Sequence, residues 1–389
     1  MLAIRGATIW TGTGETIIEE GTLLVEGGRI AGVGRRLAVP AGAGMVEARG
    51  LFLVPGFIDC HCHVGIVPEE LDWEYSDVNE TTDPVTGHVR AIDGIDFDDP
   101  GFRDALEGGV TALLIHPGSA NVIGGTDVAV KAAGPDLTRR VLRDPAGMKM
   151  AWSRGGKFGR FQGKNMPYPT TRMGVAAILR QMFAEARQLM EGGEEAVPAA
   201  KDPARRMTLE VLARVLRREI PARVHSMQPV DFHGLFRLQD EFGFHFTIDH
   251  GDEAHVVADL LARRGIPVVY GPILGDRRVP TYPRSDPQAP RLLAEAGVLV
   301  ALQTDHPVVS IRDLRLQAGI AVRYGLPPEE GMKMITVNAA RIMGVEDRLG
   351  TLEPGKDADF SLFAGHPLEP QSRVQCVFID GEPVYGSLP

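Results

Sequence analysis

The stretch that most constrains this chain runs from Leu51 to Gly65 and reads LFLVPGFIDCHCHVG. An apolar run leads into two histidines separated by one residue. Alternate side chains of an extended strand share a face, so we expect His61 and His63 to point one way and Cys60 and Cys62 the other. Two adjacent imidazoles can bind a divalent metal ion. The alternative is two histidines that share a strand without binding anything, whereas the alternation excludes a zinc knot of all four side chains.

Length and composition bound the class of protein. A chain of 389 residues can bury a large core, either as one barrel-sized domain or with a smaller companion. Three cysteines make no disulfide framework, and neither a signal peptide nor an apolar run of about 20 residues is evident. A net charge of -10 disfavours binding to nucleic acid. We therefore expect a cytoplasmic protein that acts on a small molecule and has no nucleic-acid or membrane partner.

Both ends of the chain carry short strand patterns separated by turns. TIIEEGTLLVEGGRIAGVG near the start and VQCVFIDGEPVYG near the end place β-branched residues between turn residues. Either segment is small for a core of its own. We predict that residues 1–54 and 349–389 pair into one small β-domain, with residues 55–348 inserted between them. The alternative is two separate caps on the middle domain.

The middle of the chain alternates strand-like and helical patterns. Apolar runs such as GVTALLIH, GMKMAW, FHFTIDHG and GVLVALQTD read as buried strands. Amphipathic stretches such as MGVAAILRQMFAEARQLM and MTLEVLARVLRRE lie between several of them. With the histidine strand this gives about eight strand-plus-crossover units. The predicted fold class is therefore α/β, a (β/α)8 TIM barrel.

Candidate ligands stand at the ends of the predicted strands. His61 and His63 end the first strand, and His225, His250 and Asp305 end three later ones. Reactive groups of such barrels gather at the carboxyl ends of the strands, so these five side chains are expected to meet. The alternative is a set of unrelated polar residues that cap strands.

Two motifs resemble the amidohydrolase superfamily. PGFIDCHCH is similar to its PGFIDxHxH signature, and NAARIMGVEDRLGTLEPGKDADFSLF is similar to the stretch where its chains leave the barrel. The ligand set of four histidines and one aspartate also matches, and the resemblance covers nearly the whole chain. Within the superfamily it points to the group related to imidazolonepropionase and Xaa-Pro carboxypeptidases. It implies a TIM barrel with a small β-sandwich built from both termini.

The resemblance also implies roles for these residues. One or two divalent ions, zinc first and manganese, iron or nickel as alternatives, would be bound by His61, His63, His225, His250 and Asp305. Asp305 would act as the general base that takes a proton from the attacking water and returns it to the leaving nitrogen. Asp59 would either orient the ligands or be a buried polar residue with a purely structural role.

A lysine on the fourth strand would complete a two-metal site. In many two-metal members this lysine is carboxylated and bridges the ions, and Lys149 in GMKMAW lies where that strand should end. Burial among apolar residues favours the neutral amine that carboxylation needs. Lys131 is also borne by a predicted strand and is the alternative. Without a bridging lysine the site would hold one metal ion.

Three residues near the predicted rim are candidates for substrate binding. His116 ends the second strand and His306 follows Asp305 directly, although a purely structural role is the alternative for His306. Arg154 opens a basic loop that could bind a carboxylate or could be solvated or a subunit contact. An acidic loop after His63 would favour a cationic substrate instead, and the sequence leaves this conflict open.

The predicted activity is metal-dependent hydrolysis of a C–N bond in an amide, a cyclic amide, or an N-acyl or dipeptide-like compound. A deaminase of a heterocycle is the main alternative, although SMQPVDFHG after His225 lacks the HxxE that deaminases usually carry. A non-catalytic scaffold without metal is a further alternative. A homo-oligomer is consistent with the superfamily.

Overall fold

A computed structural model describes residues 1–14, 17–68, 76–152, 168–274 and 283–388. In this part of the chain the strands form two sheets of eight strands each. The first sheet contains strands from both ends of the chain, and the second contains strands from the middle. No helix in the described ranges is both long enough and apolar enough to cross a membrane.

The terminal sheet joins the two ends of the chain, as predicted. Its strands are β1 (Leu2–Trp10), β2 (Ile17–Glu26), β3 (Arg29–Gly34), β4 (Gly44–Glu47), β5 (Phe52–Pro55), β14 (Phe360–Phe363), β15 (Val374–Ile379) and β16 (Glu382–Gly386). The ends meet where β5 pairs antiparallel with β14, from Phe52 opposite Phe363 to Pro55 opposite Phe360. This sheet has its own apolar core, which includes Ile9 and Phe378. The alternative of two separate caps is therefore wrong, while the exact domain boundaries remain a prediction.

The middle strands form a nearly closed barrel. They are β6 (Phe57–Cys62), β7 (Val110–Ile115), β8 (Ile123–Lys131), β9 (Val141–Ala151), β10 (Ala222–Ser226), β11 (Phe246–His250), β12 (Val268–Tyr270) and β13 (Val300–Leu302), and they neighbour one another in chain order. Just beyond β13, the Asp305 N–H donates to the His61 carbonyl at 3.1 Å, and the His63 N–H donates to the His306 carbonyl at 3.0 Å. These two bonds bring the first and last strands together and confirm the barrel prediction.

Capping residues mark the ends of several helices. They are α1 (Pro100–Glu107), α2 (Leu137–Arg140), α3 (Arg172–Gly192), α4 (Pro203–Leu216), α5 (Pro229–Phe242), α6 (Ala258–Arg264), α7 (Ala289–Glu295), α8 (Leu314–Arg323), α9 (Pro328–Met334) and α10 (Val337–Met343). Side-chain oxygens of Asp99, Thr171 and Asp202 accept the first free N–H groups of α1, α3 and α4. Left-handed glycines end α5 at Gly243 and α6 at Gly265.

One strand departs from the predicted all-parallel barrel. β8 runs antiparallel to both β7 and β9. The connection from β7 to β8 spans only residues 116–122, whereas a parallel crossover needs a dozen residues or more. The chain therefore reverses direction, and β8 carries Lys131 to the end of the barrel opposite His61.

The first barrel strand also departs from strict alternation. Its pairing with β7 shifts between Asp59 and Cys62. Cys60 Sγ donates to the Ala339 carbonyl of α10 at 3.3 Å, and Cys62 Sγ to the Leu114 carbonyl at 3.6 Å. The predicted common direction of the two cysteines is therefore wrong. Because α10 packs on the small residues at the barrel's amino end, it closes that end.

Candidate metal centre

The predicted ligands come from distant strands and meet at the carboxyl end of the barrel. Asp305 Oδ1 lies 3.5 Å from His61 Nε2 and 3.3 Å from His63 Nε2. The ring of His250 lies 4.9 Å from that of His61 and 4.2 Å from that of His225, centroid to centroid. The strands β6, β10, β11 and β13 thus bring four imidazoles and one carboxylate to one place.

The donor atoms are spaced as a metal ion requires. One ligand atom each from His61, His250 and Asp305 lies within 4.8 Å of the other two. Nitrogen and carboxylate ligands of this kind suit zinc, iron, nickel and manganese. Lys149, fully buried near the end of β9, places its Nζ 3.2 Å from His61 Nε2. The structure therefore brings the predicted lysine to the same cluster.

The backbone turns sharply at two of these residues. His250 has a φ of 77° and Asp305 a φ of 55°, both in the left-handed region that residues other than glycine seldom adopt. His250 is the last residue of β11, and Asp305 lies three residues beyond the end of β13, so each turn can direct a side chain differently from the regular alternation of the strand. Such strained positions cluster at functional sites.

Oxygen acceptors orient three of the four imidazoles. The Nδ1 of His61 lies 2.9 Å from Asp249 Oδ2, that of His63 lies 2.7 Å from the His116 carbonyl, and that of His250 lies 3.0 Å from the Gly271 carbonyl. A carbonyl only accepts, so the Nδ1 atom of His63 carries the proton and donates. This leaves Nε2 as the basic nitrogen, the arrangement that metal-ligating histidines usually show. The residues present therefore fit a divalent metal.

Burial and charge set the protonation states of the centre. Burial, followed by the nearby Lys149, lowers the pKa of His61 well below its ordinary value, so the ring is neutral. Burial by itself raises the pKa of Asp305, but the positive charge that His250, His63 and Lys149 can carry outweighs burial and holds that pKa below its ordinary value. A neutral imidazole and an ionised carboxylate are the states that bind metal.

Asp59 ties the first strand to the last. Its carboxylate accepts from the Thr304 hydroxyl at 2.6 Å and the Thr304 N–H at 3.2 Å, and also from the His61 N–H at 3.1 Å. Burial raises the pKa of Asp59 to about 7. Because Thr304 precedes Asp305, these bonds position Asp305 relative to His61. Of the two roles predicted for Asp59, these hydrogen bonds support the orienting one.

The sequence interpretation overlooked Asp249. It is fully buried on β11, and the Thr247 hydroxyl donates to its second oxygen at 2.8 Å. The signal was present in FHFTIDHG, where an acid at a buried strand position directly precedes a predicted ligand. Regular alternation along a strand would send neighbouring side chains to opposite faces. The left-handed turn at His250 removes that restriction.

A second group of possible donors consists of His61, His116 and Asp249, whose ligand atoms also lie within 4.8 Å of one another. The 2.9 Å separation of His61 Nδ1 and Asp249 Oδ2 is that of a charge-assisted hydrogen bond. A proton therefore occupies the space between them. We interpret this group as support for His61.

The three predicted substrate-binding residues differ in position. His116 is fully buried behind His61, with the two rings stacked at 4.4 Å, and its Nδ1 lies 3.0 Å from Asp127 Oδ2. His306 is also fully buried, and the Ile311 N–H donates to its Nδ1 at 3.1 Å. Neither ring is exposed at the mouth. Arg154 lies outside the described residues.

The alternative lysine lies elsewhere. Lys131 Nζ sits between the carboxylates of Asp357, Asp359 and Asp380 at 2.7–3.0 Å, beside the terminal sheet. These acids raise the pKa of Lys131 despite its burial, so its amine is charged. Carboxylation needs a neutral amine, and the position is remote from His61. Of the two predicted lysines, Lys149 is therefore the one at the centre.

Comparison with known proteins identifies the family to which this chain belongs. A solved structure of an amidohydrolase from Thermotoga maritima MSB8 superposes with a TM-score of 0.92 and 39% identity, covering 100% of both chains. The chain belongs to the amidohydrolase superfamily. The model of the amidohydrolase family itself matches residues 216–384. This amidohydrolase is accordingly a hydrolase that acts on carbon–nitrogen bonds.

Two curated relatives extend the comparison. The amidohydrolase tasK of Hapsidospora irregularis is 31% identical over 97% of this chain, which spans 42% of that protein's length. The imidazolonepropionase of Cupriavidus necator is 27% identical over 89% of this chain and 85% of its own length. The amidohydrolase described here thus resembles enzymes with different names, and the substrate does not follow from them.

Proposed function

We propose that this amidohydrolase uses a bound divalent ion and Asp305 to hydrolyse a C–N bond in a small amide, cyclic amide, or N-acyl or dipeptide-like compound. The observation that carries the proposal is the convergence of His61, His63, His250 and Asp305 from three different strand ends. A non-catalytic scaffold has no need of such a buried cluster of ligand atoms.

The residues that would hold the ion are the predicted ones: His61, His63, His225, His250 and Asp305, with Lys149 as a bridging ligand if two ions bind. When bound, the ion would supply Lewis acidity that makes water nucleophilic near neutral pH and polarises the scissile carbonyl. Zinc is the first choice for this ligand set. Carboxylation of Lys149 belongs to this proposal, because its buried amine lies beside His61 Nε2.

Asp305 is suited to handle the proton. Its side chain is 15% exposed, and that of His63 is 12% exposed, whereas His61 is 1% exposed. The centre therefore opens to solvent on the side of Asp305. An ionised carboxylate there would accept a proton from the attacking water and deliver it to the leaving nitrogen.

The deaminase alternative has less support. An acid after the strand of His225 would have to protonate the substrate ring. In the described segment that follows this strand, the first acid is Asp231, which is buried and accepts a hydrogen bond from Arg172. Asp231 is thus already paired within the protein.

The test is a substrate screen with the zinc- or manganese-loaded enzyme, using N-acyl amino acids, dipeptides and cyclic ureides. For a compound that is hydrolysed, Asp305→Asn should lower kcat about 10²–10⁴-fold, because it removes a proton acceptor. Asp347→Asn changes an exposed carboxylate and should behave as the parent does. If Asp305→Asn hydrolysed the compound as fast as the parent, the assignment of Asp305 would be wrong.

A further inference from the structure

A second cavity lies at the opposite end of the barrel from the metal centre. Its volume is about 580 Å³, and it opens between the amino ends of β9 to β13 and the end of α10. The walls include Pro221, Phe246 and Thr247 at strand starts, and Ile342 and Gly344 at the end of α10. The size is that of a pocket for a small metabolite.

The charges that line this cavity are mainly positive. Five arginines face two carboxylates, Glu219 and Asp240; the arginines are Arg143, Arg218, Arg223, Arg264 and Arg341. Asp240 forms a two-pronged ion pair with Arg264 at 2.8 and 3.0 Å, and Glu219 pairs with arginines outside the lining. Of the remaining lining arginines, Arg223 has the carboxylate of Asp127 at 4.0 Å, whereas Arg143, Arg218 and Arg341 form no ion pair with the described carboxylates.

Arg223 is the buried anchor of this cluster. It is 1% exposed on β10, and its Nη2 donates to the Ile342 carbonyl at 2.6 Å. Its Nε and Nη1 have no hydrogen-bond acceptor within the described part of the chain. Asp127 Oδ2 lies 4.0 Å from Nε, which is within reach of an ion pair but beyond hydrogen-bond distance. A buried guanidinium with two unsatisfied nitrogens is costly, and an anion close to it would offset its positive charge.

The accumulated positive charge affects the pKa of the neighbouring Arg143. Burial, followed by the charge of Arg223, lowers the pKa of the Arg143 guanidinium. Arg143 itself donates only to the Glu219 carbonyl in the described residues, at 2.8 Å. An anion in the cavity would relieve the repulsion between Arg143 and Arg223.

We infer that this cavity binds a small oxyanion, a phosphate or carboxylate group carried by a metabolite, with Arg223 at its base and Arg143 and Arg341 at its walls. Guanidinium groups suit such groups because each offers two parallel N–H donors. The negative charge of Asp127, next to Arg223, would repel a bound anion. Several arginines are therefore needed to outweigh this repulsion. The site is separate from the metal centre and independent of the reaction proposed above.

The test uses calorimetric titration of inorganic phosphate, and separately of citrate, into the metal-loaded enzyme at constant ionic strength held with chloride. We expect saturable binding of phosphate. Arg143→Gln and Arg341→Gln should each weaken it about tenfold, the effect of losing one charge-assisted hydrogen bond. Arg103→Gln removes an arginine that is 79% exposed on α1 and should leave binding unchanged.

A fourth variant tests whether weaker phosphate binding in the arginine variants could result merely from loss of folding. Asp240→Asn removes a carboxylate from the lining and frees Arg264, so phosphate should bind several-fold more tightly. Saturable binding of citrate as well as phosphate would show that carboxylates suffice, whereas phosphate alone would identify a phosphate-bearing ligand. Absence of saturable binding by both anions would overturn the inference. So would phosphate affinity that is equal in all four variants, since it would place the anion at the metal centre.

Discussion

The chemistry of the centre depends on residues that orient the ligands as much as on the ligands themselves. Asp249 holds His61, the His116 carbonyl holds His63, and the Gly271 carbonyl holds His250. Each contact fixes a ring's rotation, so Nε2 faces the site before any ion binds. Preorganisation of this kind lowers the cost of binding because fewer rotamers remain to be ordered.

Asp249→Asn tests this orienting role. The amide keeps the size of the carboxylate but removes its negative charge, so His61 loses its charge-assisted acceptor. Metal affinity should fall about 10–100-fold, as measured by competition with a coloured chelator. Asp259→Asn, on the exposed face of α6, is the matched control. Unchanged metal affinity in Asp249→Asn would show that Asp249 serves only to satisfy Thr247.

Lys149→Met tests the bridging role. Methionine has a similar volume and no amine to carboxylate. If Lys149 bridges two ions, the variant should retain one ion or none per chain, as measured by elemental analysis of purified protein. Lys201→Met, at an exposed lysine, should retain the parent's content. A variant with the parent's metal content would exclude the bridge.

At the scale of elements, close contact between β9 and β10 positions both ends of the barrel. Gly147 on β9 leaves room for Arg223, since a Cβ there would lie 2.9 Å from Arg223 Cγ and 3.0 Å from Asp127 Oδ2. Two residues later on the same strand lies Lys149, and two residues after Arg223 lies His225. The absence of a side chain at Gly147 thus allows β9 and β10, which both carry candidate ligands, to pack close together.

Gly147→Ala should therefore destabilise the fold. The added methyl group must displace Arg223 or the strand, at a cost of about 1–3 kcal/mol in the free energy of unfolding. Urea unfolding followed by circular dichroism measures this. Gly44→Ala is the control, because a Cβ at Gly44 would meet Leu2 Cδ1 at 3.6 Å and the Met1 carbonyl oxygen at 3.9 Å, both ordinary contacts. Equal stability of the two variants would mean that β9 and β10 can separate without cost.

At the scale of the whole molecule, a buried charge cluster joins the barrel to the terminal sheet. Lys131, at the end of β8, contacts Asp357, Asp359 and Asp380 around the strands β14 and β15. Arg348 also donates to Asp357 at 2.6 Å. Removing one partner from a buried ion pair leaves an uncompensated charge in a medium of low polarity.

Lys131→Met should lower the free energy of unfolding by about 3–5 kcal/mol at pH 7, measured by urea unfolding against Lys201→Met. Burial raises the pKa of Asp359 to about 6, so this acid takes up a proton in the folded state before it does in the unfolded chain. The charge of Lys131 lowers this pKa, so in Lys131→Met it lies higher still, and at pH 5 protonation of Asp359 removes one of the uncompensated charges. The decrease in the free energy of unfolding caused by Lys131→Met should therefore be smaller at pH 5 than at pH 7. A loss that grew at pH 5 would contradict the charge argument.

The sequence alone determined the barrel, the joining of the two termini and the identity of the candidate ligands. Each of these follows from local information: apolar periodicity, turn residues and the position of polar side chains at the ends of strands. The HxH motif and the residues His225, His250 and Asp305 could be found because each stands at or near the end of a mainly apolar run. The structure brings all five together.

Only the tertiary structure decided the direction of β8, the choice between Lys149 and Lys131, the support of His61 by Asp249, and the arginine cavity. The short 116–122 connection reverses β8, and this reversal sends Lys131 to the terminal sheet. The left-handed turn at His250 lets two consecutive residues reach one site, which strand alternation forbids. These features depend on which residues meet across hundreds of positions, and local periodicity carries no information about such distances.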